Sequence, residues 1–325
     1  MSAASLVIDC GTTNLRVTLL DAQRRPVDTI RAEGGVRHTA IDGHNGRLRA
    51  MLRESIAALL ARNGLAAADV ARCVAYGMIT SNMGLLEIPH VPAPADAAAL
   101  RAHMQQRVFE DIAPFPIAFI PGVRNFAGPV DLENYAGMDM MRGEETESVG
   151  LHALLAVHRP ALLVLPGSHN KFVSMDAQGR ILGCMTSISG ELLDALTHHT
   201  ILADAAGRGF ASAQDYDPAL AVAGARECAR SGLGRAAFAG RILNTLGGRP
   251  HGEIRSYLLG ATLALDVQAM RSFACEGAAV YVAGKAPVQQ CMLDVLHALD
   301  AGEAHAVPAE LSARMGVAGA LAIAF

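Results

Sequence analysis

The sequence predicts an α/β protein made of two copies of one unit, each a mixed sheet with helices on its faces. Three observations predict it. A strand–glycine turn–strand–turn–strand order occurs over residues 6–30 and again over 161–185. Gly11-Thr12-Thr13-Asn14 overlays Gly167-Ser168-His169-Asn170 at an offset of 156, and Asp21-Ala22-Gln23 overlays Asp176-Ala177-Gln178 at 155, close to half of the 325 residues. Apolar residues at helical spacing follow each meander.

In the first half, the apolar run Leu6-Val7-Ile8 ends at Asp9 and gives way to the turn Gly11-Thr12-Thr13. Residues 15–20 resume as a strand, 21–26 carry turn chemistry, and 27–30 form a third strand. Leu48, Met51, Leu52, Ile56, Leu59 and Leu60 recur at helical spacing over 47–62, and Asn63-Gly64 stops that helix. Residues 73–76 read as a buried strand, followed by the loop 77–82. Pro89, Pro92 and Pro94 keep the next segment extended, 117–120 is another strand, and Gly143 opens a helix beginning Glu144-Glu145-Thr146. The second half repeats the meander with strands over 161–165, 171–175 and 181–185. Helices are expected over 191–202, 219–230, 236–246, 253–273 and 288–299, with a late strand over 279–283 before Gly284.

Composition excludes several classes of function. Hydrophobic residues make up 51% and charged residues 18%, too apolar for a disordered chain. A net charge of −4 with no basic stripe leaves nucleic-acid binding without electrostatic support. The six cysteines (Cys10, Cys73, Cys184, Cys228, Cys275 and Cys291) are scattered without a C-x-x-C pair and read as buried thiols in a reducing compartment. The twelve histidines show no metal-ligand spacing. The first residues carry no basic region, and apolar stretches such as 315–325 are too short to span a bilayer. A cytoplasmic protein with no membrane partner is expected.

Two hairpins, each with glycine followed by a hydroxyl residue, are suited to phosphate. Glycine lets backbone N–H groups approach phosphate oxygens, and the Thr or Ser hydroxyl adds a donor. The candidates are Gly11, Thr12 and Thr13 in the first hairpin and Gly167, Ser168 and His169 in the second, with Lys171 adding positive charge. Asp9, beside the first hairpin, is the candidate Mg²⁺ ligand. No G-x-x-x-x-G-K-[ST] loop is present.

Residues 8–16, Ile-Asp-Cys-Gly-Thr-Thr-Asn-Leu-Arg, resemble the first phosphate motif of the superfamily of acetate and sugar kinases, heat-shock chaperones and actin, and 165–171 resemble its second. With the segments 77–81, 141–146 and 186–192, in this order and spacing, the chain resembles 2-dehydro-3-deoxygalactonokinases over nearly its whole length. The family pattern has Trp where Cys10 stands and Thr-His-Ser-Lys where residues 168–171 stand; Ser168 keeps the hydroxyl. The resemblance implies two actin-like (ribonuclease H-like) domains, 1–148 and 149–325, with ATP and Mg²⁺ in a cleft between them. It implies transfer of phosphate from ATP to the 6-hydroxyl of 2-dehydro-3-deoxy-galactonate, and Gly284 against the adenosine. The partner implied is a small sugar acid; a homodimer is left open. A polyphosphate phosphohydrolase of the same superfamily and an ATP-gated binding module are the alternatives.

A kinase of this kind needs a base for the sugar hydroxyl. Asp139, Glu144 and Glu145 are the candidates, with Glu144 directly after Gly143 preferred and Glu145 equally suited to capping a helix. Arg16, Arg142 and Arg124 are candidates for the substrate carboxylate, since a guanidinium binds a carboxylate with two parallel bonds. Asn14, Thr80 and Ser81 are candidate hydroxyl contacts, and Met78 lies beside them as a contact or as core filling.

Overall fold

A computed structural model describes residues 4–273 and 277–325, which leaves Cys275 outside. The first meander forms from β1 (Ala4–Cys10), β2 (Asn14–Leu20) and β3 (Pro26–Glu33), each pair antiparallel. β1 is buried on both faces because helices cover it and β4 (Val70–Gly77) runs parallel to it. Between them lie α1 (Arg37–Asp42) and α2 (Gly46–Arg62), which buries Leu48, Leu52, Ile56 and Leu59 along one stripe. Then follow β5 (Val91–Pro92), α3 (Ala97–Ala102), β6 (Gln105–Phe109), β7 (Ala113–Phe119), β8 (Val123–Arg124), β9 (Met140–Met141) and α4 (Glu144–Leu155).

The second meander is β10 (Ala161–Leu165), β11 (Asn170–Met175) and β12 (Ile181–Ser187). It leads into α5 (Ser189–His198), α6 (Pro218–Ser231), α7 (Leu233–Thr245), α8 (His251–Arg271), β13 (Ala279–Val282), α9 (Val288–Ala298), β14 (Ala304–Ala306) and α10 (Ala309–Ala324). The sheet orders are β3-β2-β1-β4-β7-β6 and β12-β11-β10-β13-β14. Without the edge strand β6 the two orders are the same, with β1–β4, β4–β7, β10–β13 and β13–β14 all parallel. This is the actin-like sheet, present twice. No helix among the described residues is long and apolar enough to cross a membrane.

The repeat extends to a detail of packing. A Cβ on Gly35 would sit 2.1 Å from the Gly11 carbonyl oxygen, and one on Gly190 would sit 2.3 Å from that of Gly167. In each half, therefore, a residue two or three positions after the third strand must be glycine so that the chain can close over the hairpin. The separation of these two glycines, 155 residues, is that of the Asp-Ala-Gln turns.

The chain divides into two compact units, Met1–Val157 with Gly179–Gly183 and Ala313–Phe325, and His158–Gln178 with Cys184–Ser312. The expected division at 148/149 would cut α4 and leave the C-terminal residues with the second half, whereas all of α4 and residues 313–325 group with the first unit. The chain end belongs to the first unit because α10 lies directly on α4: a Cβ on Gly319 would meet the Thr146 carbonyl oxygen at 1.8 Å. The core of the first unit gathers Leu6, Ile8, Leu15, Val17, Leu52 and Phe119. The core of the second gathers Leu162, Val164, Phe172, Leu263, Val280 and Val295. Cys10, Cys73, Cys184, Cys228 and Cys291 are all buried.

Candidate active site

In the first unit the strand register aligns three polar residues in a row across the sheet: Arg16 on β2, Asp9 on β1 and Tyr76 on β4. Arg16 Nη1 lies 3.3 Å from Asp9 Oδ2, and the Tyr76 hydroxyl donates to the same carboxylate. Desolvation raises the Asp9 carboxyl above its ordinary value against the opposing pull of Arg16 and Tyr76. Just beyond Asp9 the hairpin tip closes with Gly11 N–H donating to the Asn14 carbonyl at 2.9 Å. The carbonyls of Gly11, Thr12 and Thr13 accept from Val36, Arg37 and Gly34 behind them. Thr12, Thr13 and Asn14 are left exposed at the tip.

The helix start and the loop 77–81 meet within this unit. Gly143 has φ +113°, and a Cβ there would lie 3.3 Å from the Gly77 Cα. Arg142 fastens the two segments: Nη1 donates to the Thr80 hydroxyl at 2.9 Å and Nη2 to the Ile88 carbonyl at 2.7 Å. Thr80 in turn donates to the Gly77 carbonyl and Ser81 to the Met78 carbonyl. Burial lowers the Arg142 pKa, with Glu145 and Glu87 opposing. The guanidinium predicted to meet a substrate carboxylate is thus engaged with protein, and the Thr80 and Ser81 hydroxyls brace their own turn. Met78 is partly buried and packs on the core. Arg124, on β8, makes a long contact with the Gly128 carbonyl at 3.4 Å.

The three carboxylates proposed as bases fall in different surroundings. Glu144, in the first turn of α4, is partly exposed and accepts the Arg142 N–H at 3.1 Å. Glu145 is fully buried; it accepts the Gly143 N–H at 2.7 Å and the Thr146 hydroxyl at 2.9 Å, capping the helix. Asp139 lies before β9 and accepts the Met140 N–H at 2.7 Å. The sequence reading passed over Glu147. It stands three residues after Glu144 on the same helix face, and its carboxyl is raised well above its usual range by burial and then by the charges of Asp9, Glu144 and Glu145. The signal was visible as a third acid in Glu144-Glu145-Thr146-Glu147.

Burial pushes Glu145 from 4.5 up to about 8, with Glu144 adding to the rise. A folded-state pKa above the unfolded one means that the folded protein holds a proton the unfolded chain has lost. The stability this supplies is full below pH 4.5 and disappears as pH rises through 8. Glu145→Gln, neutral at every pH, is expected to gain stability over the parent between pH 5 and 8.5 by on the order of a few kcal/mol, one pKa unit being about 1.4 kcal/mol. Thermal melts of both proteins across that range check it; a constant difference between them would contradict it.

In the second unit, Asn170 Oδ1 accepts the Gly167 N–H at 2.9 Å, and its amide donates to Asp266 Oδ2 at 2.7 Å. Ser189 donates to Asp266 Oδ1 at 2.5 Å and lies 2.6 Å from Ser187. Asp266, a fully buried acid on α8, therefore ties the phosphate hairpin to the start of α5. Burial raises its pKa and hydrogen bonds from Ser187, Ser189 and Asn170 lower it. Its signal was a lone acid inside the apolar run Leu263-Ala264-Leu265-Asp266-Val267. Ser168 and His169 are exposed at the tip, where His169 Nε2 pairs with Glu191 at 3.0 Å. Lys171 is buried and donates to the Thr186 hydroxyl.

Beside this hairpin lies a cavity of about 390 Å³ lined by Gly167, Ser168, Gly190, Glu191, Leu193, Asp194, Phe210, Ala211, Leu259 and Val288. It is apolar apart from its hairpin end and two carboxylates, and its volume suits a nucleoside-sized ligand. Gly284, two residues past β13, has φ +102°, and a Cβ there would lie 3.4 Å from the Pro166 ring; it is not among the residues lining this cavity.

The family model of 2-keto-3-deoxy-galactonokinase matches residues 9–320. The 2-dehydro-3-deoxygalactonokinase of Escherichia coli (strain K12) is 27% identical over 286 residues, 87% of this chain and 86% of that protein. A Rhizobium meliloti (strain 1021) protein provisionally named for the same activity is 29% identical over 208 residues, 61% of this chain and 58% of that protein. A crystal structure from Sinorhizobium meliloti, also provisionally named as this kinase, has a TM-score of 0.76 at 22% identity over 97% of both chains, which shows a shared fold. With a match that runs through both glycine hairpins and the acidic helix start, the chain belongs to the 2-keto-3-deoxy-galactonokinase family and is a carbohydrate kinase.

Proposed function

We propose that this protein transfers the γ-phosphoryl group of ATP to the 6-hydroxyl of 2-dehydro-3-deoxy-galactonate. The observation that carries the reading is the helix start Gly143-Glu144, which packs against Gly77 at the end of β4 and carries a partly exposed carboxylate, in a chain matched along nearly its whole length by one sugar-kinase family. Glu144 takes the proton from the 6-hydroxyl as the new O–P bond forms, and the bond from the γ-phosphorus to the β-phosphate oxygen breaks to leave ADP. Such a transfer is mostly positioning and charge stabilisation, so a positioned carboxylate serves. The exposed tips at Thr12-Thr13 and Ser168-His169 donate to phosphate oxygens, and the cavity beside Ser168 takes the nucleoside. Arg16, Arg142 or Arg124 pairs with the substrate carboxylate; Arg16 would share its guanidinium with Asp9, and Arg142 with Thr80 and the Ile88 carbonyl.

Mg²⁺ fits Asp9. Among the described residues no group of three His, Cys, Asp or Glu side chains is arranged to hold a metal. A magnesium ion carried by nucleotide phosphates needs only one or two protein carboxylates. Asp9 is a partly exposed one at the strand end beside Gly11. When bound, the ion would neutralise charge on the phosphates.

The test is to mix the protein with MgATP and 2-dehydro-3-deoxy-galactonate and follow ADP. ADP that depends on the sugar acid is expected. ADP no higher than the ATP-only blank would reject the assignment, and equal phosphate release without any sugar acid would indicate a phosphohydrolase.

A further inference from the structure

We infer that the nucleotide is selected at its ribose, by Asp194, and not at its base. The inference rests on the nucleoside reading of the cavity beside Ser168. Helix α5 is fixed against the phosphate hairpin at one end: Gly190 lies where a Cβ would meet the Gly167 carbonyl oxygen at 2.3 Å, and Glu191 N–H donates to the Ser168 carbonyl. Four residues on, Asp194 stands about 6 Å further along the axis at 1.5 Å per residue and on the same face. That displacement is comparable to the reach from a nucleotide's α-phosphate to its ribose hydroxyls. Both Glu191 and Asp194 line the cavity.

The two carboxylates differ in what they can do. Glu191 lies at the hairpin end of the helix, where its carboxylate is held by His169 Nε2 at 3.0 Å. Asp194 Oδ1 is paired with His198 Nδ1 at 3.0 Å, while Oδ2 has His199 only at 3.9 Å. A carboxylate has capacity for about four hydrogen bonds, so Asp194 retains room for vicinal 2′- and 3′-hydroxyls while His198 holds its orientation. The base end has nothing comparable. Leu193, Phe210, Ala211, Leu259 and Val288 carry no hydrogen-bonding side-chain atom. Stacking on a ring such as Phe210 is tolerant of base identity, since every base has a π-face.

Calorimetric titration of the whole protein with ADP, 2′-deoxy-ADP, 3′-deoxy-ADP and GDP tests this without any sugar acid. The deoxy nucleotides are expected to bind about ten- to hundredfold more weakly than ADP, as for a lost hydrogen bond to a charged group, and GDP within about threefold. Asp194→Ala is expected to weaken ADP to the level of 2′-deoxy-ADP and leave the deoxy forms nearly unchanged, with Asp194→Asn in between. A merely structural Asp194 would weaken all four nucleotides alike. Equal binding of ADP and 2′-deoxy-ADP by the parent, a strong preference for ADP over GDP, or no nucleotide binding at all would each overturn the inference. Ribose-selective binding in a protein that fails to phosphorylate the sugar acid would uphold it while removing the proposed substrate.

Discussion

Glu144→Gln is expected to lose about 10²–10⁴ in kcat, the range for removing a positioned general base, while nucleotide affinity stays within about threefold. The amide keeps the oxygen that accepts the Arg142 N–H, so the start of α4 is preserved and only the proton acceptor is removed. Nucleotide affinity is spared because the cavity proposed for the nucleoside is lined wholly by residues of the second unit. Turnover rates with saturating sugar acid, set beside ADP titration, separate the two effects. Near-normal turnover would move the base elsewhere. Asp139→Asn then tests the remaining partly exposed candidate, and Glu147→Gln tests the acid on the same helix face. Glu145 is the weakest alternative, because its carboxylate is buried and spent on the Gly143 N–H and the Thr146 hydroxyl.

Asp266→Ala should cost about 2–5 kcal/mol of stability, at roughly 1–3 kcal/mol for each of two buried neutral donors left without an acceptor. It should also weaken ADP binding at least tenfold. The Asn170 amide and Ser189 hydroxyl would lose their acceptor in a site from which water is excluded. The same Asn170 holds the Gly167 N–H, so the hairpin would be loosened at its root. Asp266→Asn retains an acceptor oxygen and should fall between parent and alanine variant. Urea unfolding with parallel ADP titration measures both quantities. A stability loss under about 1 kcal/mol, the size of one ordinary neutral hydrogen bond, with ADP affinity intact, would show that the hairpin stands without this anchor.

The candidate site was only partly legible from the chain. Both hairpins could be read because turn chemistry is local: glycine supplies the bend and the neighbouring strands alternate or run apolar. The Gly143-Glu144 start was legible for the same reason, as glycine followed by acids marks a helix N-terminus. Asp266 was not legible, because its role comes from Asn170 and Ser189, 96 and 77 residues away. Nor was the cavity, since Phe210 and Leu259 look like any apolar residues until α8 and the 210–211 segment are folded beside α5. Arg142 shows another limit. A lone arginine near an expected sugar site invites a substrate role, and its bonds to Thr80 and the Ile88 carbonyl, 62 and 54 residues away, could not be read from its neighbours in sequence.

By itself, then, the sequence determined the duplicated meander, the placing of two phosphate-suited turns and the acidic helix start, because each depends on residues within a few positions of one another. Tertiary structure alone decided which of three neighbouring acids faces inward, which hydroxyls and guanidinium are consumed in holding a loop, and that α10 returns to the first unit. Those outcomes turn on burial and on partners far apart along the chain. A buried carboxylate such as Glu145 and a partly exposed one such as Glu144 are adjacent letters of the same kind, and only the removal of water from one of them makes them chemically different.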